Sequence, residues 1–438
     1  MSNVGATSVS RSGRGQISAA GWRIVLLASL GGTLEFYDFV IFGVFAKDIA
    51  DAIFPNPTPL VSLMVSFAAF AAGYLARPIG GIVLSHFGDR YGRRRVFLIS
   101  IFVMSGATLG MGLVPTFAVW GAGASALMVF LRLVQGFCLG GELPGALTYV
   151  VETAPRHAPF VCGVVFSCVT MGVAVATGVS LAVRTMLPVD MVSTWGWRVA
   201  FILGGMGGLL SFALRRSLEE SPEFARMKEL VARQPFREVL QRHLVPVVVG
   251  VSALAATGSF NGLFFAHMAA YMSGVLHYDP RGAIISQTIG VIIHALTILA
   301  VGQLADRVPP RHLIRTGAAV LVVLAFPFYS ALANRVLHPT VLLVAAGLVA
   351  GLVNGSFAVI LTDLFPTRVR FSGVAIVFNI AFTIFSGTAP LVATTLIRST
   401  GLETAPALVM VAGGLLTLIG SLGLSGNGGH VLDRAQQR

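Results

Sequence analysis

Apolar stretches recur along the whole chain, near 22 to 46, 60 to 84, 96 to 115, 124 to 152, 159 to 184, 197 to 214, 244 to 274, 282 to 304, 312 to 333, 340 to 362, 371 to 397 and 404 to 425. A helix rises 1.5 Å per residue, so about 20 apolar residues cross a hydrocarbon core of about 30 Å. The pattern therefore predicts about twelve transmembrane helices with short loops, an all-α membrane protein. The longest polar interruption, 215 to 243, lies at the chain's midpoint and divides a bundle over 21 to 214 from a second over 244 to 425. Within it Ser221-Pro222-Glu223 reads as a helix start, and Phe224, Met227, Leu230 and Val231 share one face. That is the pattern of an amphipathic helix lying on a membrane surface. Residues 1 to 20 are rich in Ser, Gly and Arg and read as a disordered tail, and 426 to 438 form a second tail.

Composition agrees, with 55% hydrophobic and only 11% charged residues among 438. The net charge of +12 would suit a nucleic-acid binder, but its distribution does not. Arg11, Arg14 and Arg23, the cluster Arg90 to Arg95, Arg156, the run from Arg215 to Arg242, Arg307, Arg311, Arg315, Arg368, Arg370, Arg434 and Arg438 all fall in alternate inter-span segments. The opposite loops hold mainly Lys47, Arg281, Arg335 and Arg398, partly balanced by Asp48, Asp51, Asp279 and Glu403. Positive charge stays on the cytoplasmic side of a membrane protein, so both termini and the linker are expected there, in a multi-pass protein of the cell's inner membrane. Cys138, Cys162 and Cys168 lie within apolar spans and are expected as packed thiols without a disulfide framework.

The chain also repeats itself about the linker. Ser85-x-x-x-Asp89-Arg90 after the second span returns as Gly302-x-x-x-Asp306-Arg307 after the eighth. Glu152-x-x-Pro155-Arg156 after the fourth returns as Asp363-x-x-Pro366-x-Arg368 after the tenth. Similar offsets near half the chain length imply two six-helix bundles in parallel arrangement with a pathway between them.

Glu35 and Asp38, three apart in the first span, share one helical face near mid-membrane depth. An ionised acid there costs roughly 2.5 to 3.5 kcal/mol, so each must face a wet cavity, meet a basic partner or carry a proton. They read either as a proton site or as half of a static interhelical salt bridge. Glu142, ten residues beyond Arg132 on the fourth span, extends a proton path or holds a helix interface. Arg77, before Pro78 in the second span, guides an anion, or snorkels, or makes a structural salt bridge. Asn261, His267, Tyr271, His294, Asn354 and Asn379 are polar groups at membrane depth in the second half. Together they suggest a substrate-binding lining; singly, each also fits an interhelical hydrogen bond. No Walker motif, Cys/His metal cluster or Ser/His/Asp arrangement stands out, so no cofactor or metal is expected.

Gly88-Asp89-Arg90-Tyr91-Gly92-Arg93-Arg94-Arg95 resembles the loop motif of the major facilitator superfamily. Further segments resemble its metabolite:proton symporter branch: Glu35-Phe36-Tyr37-Asp38-Phe39, Ala76-Arg77-Pro78-Ile79-Gly80-Gly81, Arg132-Leu133-Val134-Gln135-Gly136 leading to Gly140-Gly141-Glu142, Trp195-Gly196-Trp197-Arg198, Arg215-Arg216-Ser217-Leu218-Glu219-Glu220 and Gly387-Thr388-Ala389-Pro390. The resemblance covers about residues 21 to 425. It implies the two-bundle facilitator fold and proton-coupled import, by alternating access, of a di- or tricarboxylate, an oxo acid, or a zwitterion such as proline or betaine.

It also implies that Arg132 pairs with an acid of the first span, so that protonating Asp38 releases Arg132 to an anionic substrate. Tyr37, inside the same motif, joins the expected substrate site. Asp89 is implied to cap a second-half helix while Arg90 or Arg93 pairs with an acid such as Glu152, latching the inner gate; a plain topology determinant is the other reading. Asp306 and Arg307 would form a second latch, expected to be weaker because Pro309-Pro310 replaces a Gly and a basic residue, and Ser85 replaces the first copy's usual Gly. Small solute, protons and lipid are the expected partners of a monomer, with no nucleic acid. The alternatives are a proton-antiporting exporter of an organic solute or, in another class, an intramembrane receptor or enzyme.

Overall fold

The computed structural model describes residues 19–91, 93–188, 191–216, 235–367 and 369–424, and every regular element among them is helical. The first six spans are α1 (Ala19–Val44, continued by Ala46–Ile53), α2 (Pro59–Tyr91), α3 (Arg93–Leu113), α4 (Ala122–Leu139, continued by Glu142–Thr153), α5 (Ala158–Met186) and α6 (Trp197–Arg216). The second six are α7 (Leu244–Ala253, Ala255–Asn261, Gly262–His267 and Met268–Gly274), α8 (Pro280–Ala305), α9 (Pro310–Ala333), α10 (Pro339–Asn354, continued by Phe357–Asp363), α11 (Arg370–Ala381, Phe382–Gly387 and Ala389–Thr400) and α12 (Pro406–Leu422). Eight of these are long and apolar enough to cross a membrane unaided; α1 and α7 qualify as bent pairs, and α3 and α12 are shorter apolar helices. The twelve apolar stretches thus map one to one onto helices. The amphipathic helix expected from Ser221 lies outside the described residues, as do both tails. The end of the linker forms a short helix, Pro235–Arg242, that buries Val239 against the second half.

Helix ends carry recognisable stops. Asp279 accepts from the Gly282 amide at 2.7 Å ahead of Pro280, starting α8, and Gly401 takes φ +69°, ending α11. Two helices bend sharply: α1 turns by 59° after Val44, and α7 by 41° after Ala253. The π-helical turns Gly262–His267 and Phe382–Gly387 lie in α7 and α11. A π turn loosens backbone pairing, and the Gln287 amide donates to the carbonyls of Phe264 (2.7 Å) and Phe265 (3.2 Å), satisfying them inside the protein.

Two glycine contacts set the helix spacing. A Cβ on Gly136 of α4 would collide with the Gly73 carbonyl of α2, so these helices touch backbone to backbone and bring Arg77 and Arg132 into one layer. Between the halves, a Cβ on Gly163 of α5 would sit 3.0 Å from the Gly302 Cα of α8. Nearby, Ser167 donates to the Ala295 carbonyl at 2.7 Å. On the opposite side of the interface α2 meets α11, where Thr383 donates to the Tyr74 carbonyl at 2.8 Å and the Tyr74 and Ser386 hydroxyls lie 3.1 Å apart.

Candidate substrate pathway and coupling site

Between the halves α1, α2 and α4 hold four buried ionisable side chains, Glu35, Asp38, Arg77 and Arg132. Charges out of water need partners, and their pairing differs from the sequence expectation. Arg77 Nη2 lies 3.3 Å from Glu35 Oε1, with its guanidinium over the rings of Phe39 (4.8 Å) and Tyr74 (5.0 Å). Arg77 is therefore the arginine that pairs with an acid of the first span, and Glu35 is that acid.

No ion pair joins Asp38 to Arg132 among the described residues. Arg132 Nη1 instead donates to Gln135 Oε1 at 2.5 Å and to the Phe39 carbonyl at 3.4 Å. Its guanidinium rests on Phe39 (4.3 Å), Phe42 (4.5 Å) and Phe70 (5.2 Å). Its Nε and Nη2 have no hydrogen-bond partner among the described residues. Gln135 is the cause: one helical turn from Arg132, it draws off Nη1 while its amide bonds Thr108 Oγ1 (2.8 Å) and the Asp38 carbonyl (3.2 Å). The Asp38 carboxylate turns to the other side, against Gly204 and Gly208 of α6 and Ser105 of α3, where Oδ2 is also unpartnered. Tyr37 likewise faces α6 and donates to the Ala200 carbonyl at 2.9 Å, so its hydroxyl is spent within the first half. Gln135 and the rings of Phe39, Phe42, Phe70 and Tyr74 belong to the site although the sequence reading does not include them; the spacing Arg132-x-x-Gln135 is the signal that offered the first of them.

The second half supplies neutral polar groups. Asn354 Nδ2 lies 2.8 Å from both Asn261 Oδ1 and His294 Nε2, and His294 Nδ1 is 2.8 Å from the Gly347 carbonyl. A carbonyl only accepts, so Nδ1 carries the hydrogen and Nε2 accepts from Asn354: one tautomer satisfies the chain. His267 Nε2 is 3.1 Å from Thr394 Oγ1, which itself donates to the Pro390 carbonyl. His267 Nε2 is therefore the donor, leaving Nδ1 as a buried acceptor without a partner. Its ring stacks on Tyr271 and meets Phe67 of the first half at 5.4 Å. Tyr271 donates to the Glu403 carbonyl at 2.8 Å, and Asn379 to the Gly140 carbonyl of α4 at 2.6 Å, which fixes both.

The halves also meet at the linker end. Glu152 pairs with Arg370 at 3.2 Å, and Arg370 Nε donates to the Thr362 carbonyl. Asp306 lies 3.4 Å from His157 Nδ1 and accepts from the Phe160 amide at 3.3 Å, at the first turn of α5. Glu152 thus has a second-half partner, Arg370. Arg307 is exposed, and Glu142 is half-buried in the first turn after the break in α4. The side chains of Asp89, Arg90 and Arg93 lie outside the described residues. At the far end Ala46, Leu63 and Phe67 of the first half form one apolar cluster with Ala270 of the second. With contacts at both ends, the charged layer is shut away from either side.

The family model of the Major Facilitator Superfamily matches residues 28–390. A citrate-proton symporter of Klebsiella pneumoniae is 32% identical over 398 residues, covering 89% of each chain. The glycine betaine/proline/ectoine/pipecolic acid transporter OusA of Dickeya dadantii (strain 3937) is 30% identical over 412 residues, covering 90% of this chain and 82% of that one. Among solved structures, the proton:xylose symporter XylE bound to 6-bromo-6-deoxy-D-glucose superposes with a TM-score of 0.75 over 93% of this chain and 95% of that one, at 16% identity. That likeness carries the fold alone. Sequence match and helical architecture agree along nearly the whole chain, which therefore belongs to the Major Facilitator Superfamily, a multi-pass membrane transporter and not an enzyme.

Proposed function

We propose that this transporter is a proton symporter that brings a small carboxylate or zwitterionic metabolite into the cell across the inner membrane, as a monomer with both termini and the 215 to 243 linker in the cytoplasm. The observation that carries the reading is the separation, within one shut layer, of a cation with open donors from an acid with an open oxygen: Arg132 and Asp38. The substrate's carboxylate fills the open edge of Arg132, and Asp38 crosses the shut state with its proton on, so the layer gains substrate and proton together. Glu35 and Arg77 stay paired through the cycle and hold α1 to α2. The relatives' substrates, citrate and protons for one and betaines and proline for another, support the substrate class. The membrane potential opposes entry of an anion by roughly 2.3 kcal/mol per charge per 100 mV, so uncoupled import of an anion would run backwards. At the linker end, Glu152 with Arg370 and Asp306 with the start of α5 latch the cytoplasmic gate, and Asp89, Arg90 and Arg93 play the matching part from the first half.

The test is reconstitution in proteoliposomes. Asp38→Asn should keep exchange of labelled substrate while losing accumulation driven by a pH gradient. Accumulation by Asp38→Asn at the wild-type level would remove Asp38 from the coupling role. The orientation is checked separately by cysteine labelling, where reagent confined to the outside must fail to reach residue 220.

A further inference from the structure

We infer that the site selects a carboxylate anion and rejects solutes carrying a fixed ammonium group, a narrowing of the substrate class that rests on the transport reading above. Three observations carry it. The first is charge: the layer holds two guanidiniums, and among the described residues only one of them, Arg77, has a carboxylate at ion-pair distance. Arg132 is fully buried with Nε and Nη2 open and no carboxylate at ion-pair distance among the described residues, whereas Arg77, whose Nε and Nη1 are also open, already has Glu35; an incoming anion therefore meets a guanidinium that no neighbouring acid neutralises.

The second is the aromatic faces. An ammonium group away from carboxylates is recognised by the faces of aromatic rings. Here Phe39, Phe42, Phe70 and Tyr74 are already covered by guanidinium groups at 4.3 to 5.2 Å. A ligand cation approaching them would meet two like charges in a medium of low dielectric. Across the interface, Phe260 and Phe264 stack on each other at 4.6 Å and pack around His294.

The third is the opposite wall. The acids of the second half between 244 and 424 are Asp279, Asp306, Asp363 and Glu403, and all stand at helix ends or in a loop. Among the described residues, no carboxylate of that half faces the layer to receive an ammonium group. Asp38 is turned to α6, and Glu142 lies past the break in α4. What the second half buries instead is the amides of Asn261, Asn354 and Asn379 and the imidazoles of His267 and His294. The favoured ligand is a carboxylate with no positive charge.

The experiment measures binding and flux separately on the purified full-length protein. Isothermal titration at pH 7.5 with citrate, malate, glycine betaine and proline decides the selectivity. At least one of citrate and malate is expected to bind about thirtyfold or more tightly than either zwitterion, the scale of one uncompensated charge contact. Glycine betaine or proline binding within about threefold of the better carboxylate overturns the inference, as does failure of both carboxylates to bind. Arg132→Gln is expected to weaken carboxylate binding by the same thirtyfold; if that variant does not fold, the wild-type panel alone decides between selectivity and its absence. Flux in proteoliposomes is the independent arm. Carboxylates that bind and never cross sink the transport reading and leave the selectivity standing, whereas betaine carried inward with protons sinks the selectivity and leaves transport standing.

Discussion

Glu35→Gln is the perturbation whose size follows most directly from the geometry. The pair with Arg77 is 3.3 Å long, and the two side chains are only 1% and 2% exposed, so water screens it little. At that distance and an effective dielectric of about 20, two unit charges attract by about 5 kcal/mol. Removing one partner leaves a buried guanidinium whose remaining support is the faces of Phe39 and Tyr74, each worth about 1 kcal/mol. Measured losses for half of a buried pair run at about 3 to 5 kcal/mol, and the expected loss here is about 3. For a unit the size of one bundle that lowers the apparent Tm by about 6 °C or more. The decisive assay is a double-mutant cycle in bicelles with Glu35→Gln, Arg77→Gln and both together. Neutralising both should recover about 2 kcal/mol of the summed single losses. If the two changes add to within about 0.5 kcal/mol, Glu35 and Arg77 do not hold each other, and the charge inventory of the layer must be redrawn.

Glu152→Gln removes a pair that is 15% and 21% exposed, so about 1 kcal/mol at the linker end is expected; spin-label distances across that end should move toward open states about fivefold in population, and unchanged distributions would dismiss the latch. Gly136→Val drives a side chain into the Gly73 carbonyl, which cannot give way, and should cost about 3 kcal/mol or abolish folding, whereas Gly178→Ala, with open space around it, should leave the melting profile in place. His294→Leu strips Asn354 of an acceptor in a buried chain and should lower stability by about 1 to 2 kcal/mol; since Asn261 still accepts from Asn354, a loss above about 4 kcal/mol would mean the chain carries more than this bond.

Depth in the membrane is legible in the sequence, and direction around each helix is not. Every span comes from an apolar stretch of adequate length, and the linker and its flanking repeats stand out by charge. The rotation of α1 does not, because its lipid-facing and protein-facing sides are both apolar and periodicity no longer marks the inward face. Glu35 and Asp38 therefore look equivalent along the chain; the structure sends one to Arg77 and the other to α6. Arg132 is legible in depth but not in partner, since a glutamine one turn away also offers an oxygen that can capture a guanidinium nitrogen. The π turns of α7 and α11 have no pattern that separates them from ordinary helix; only Gln287, a polar residue in an apolar stretch, hints that carbonyls there need a donor.

Three of the hydrogen bonds that cross between the halves share an asymmetry with a genetic consequence. Ser167, Thr383 and Asn379 donate to the main-chain carbonyls of Ala295, Tyr74 and Gly140. A main-chain carbonyl survives replacement of the residue that bears it, so each bond has one heritable partner and one that no point mutation deletes. The bonds themselves therefore ask for no particular side chain at the acceptor, while a lesion in one of the three donors has no suppressor by side-chain exchange at its acceptor. Paired substitution, the usual trace of contact in diverging sequences, will be silent at these three bonds however closely they hold the halves together.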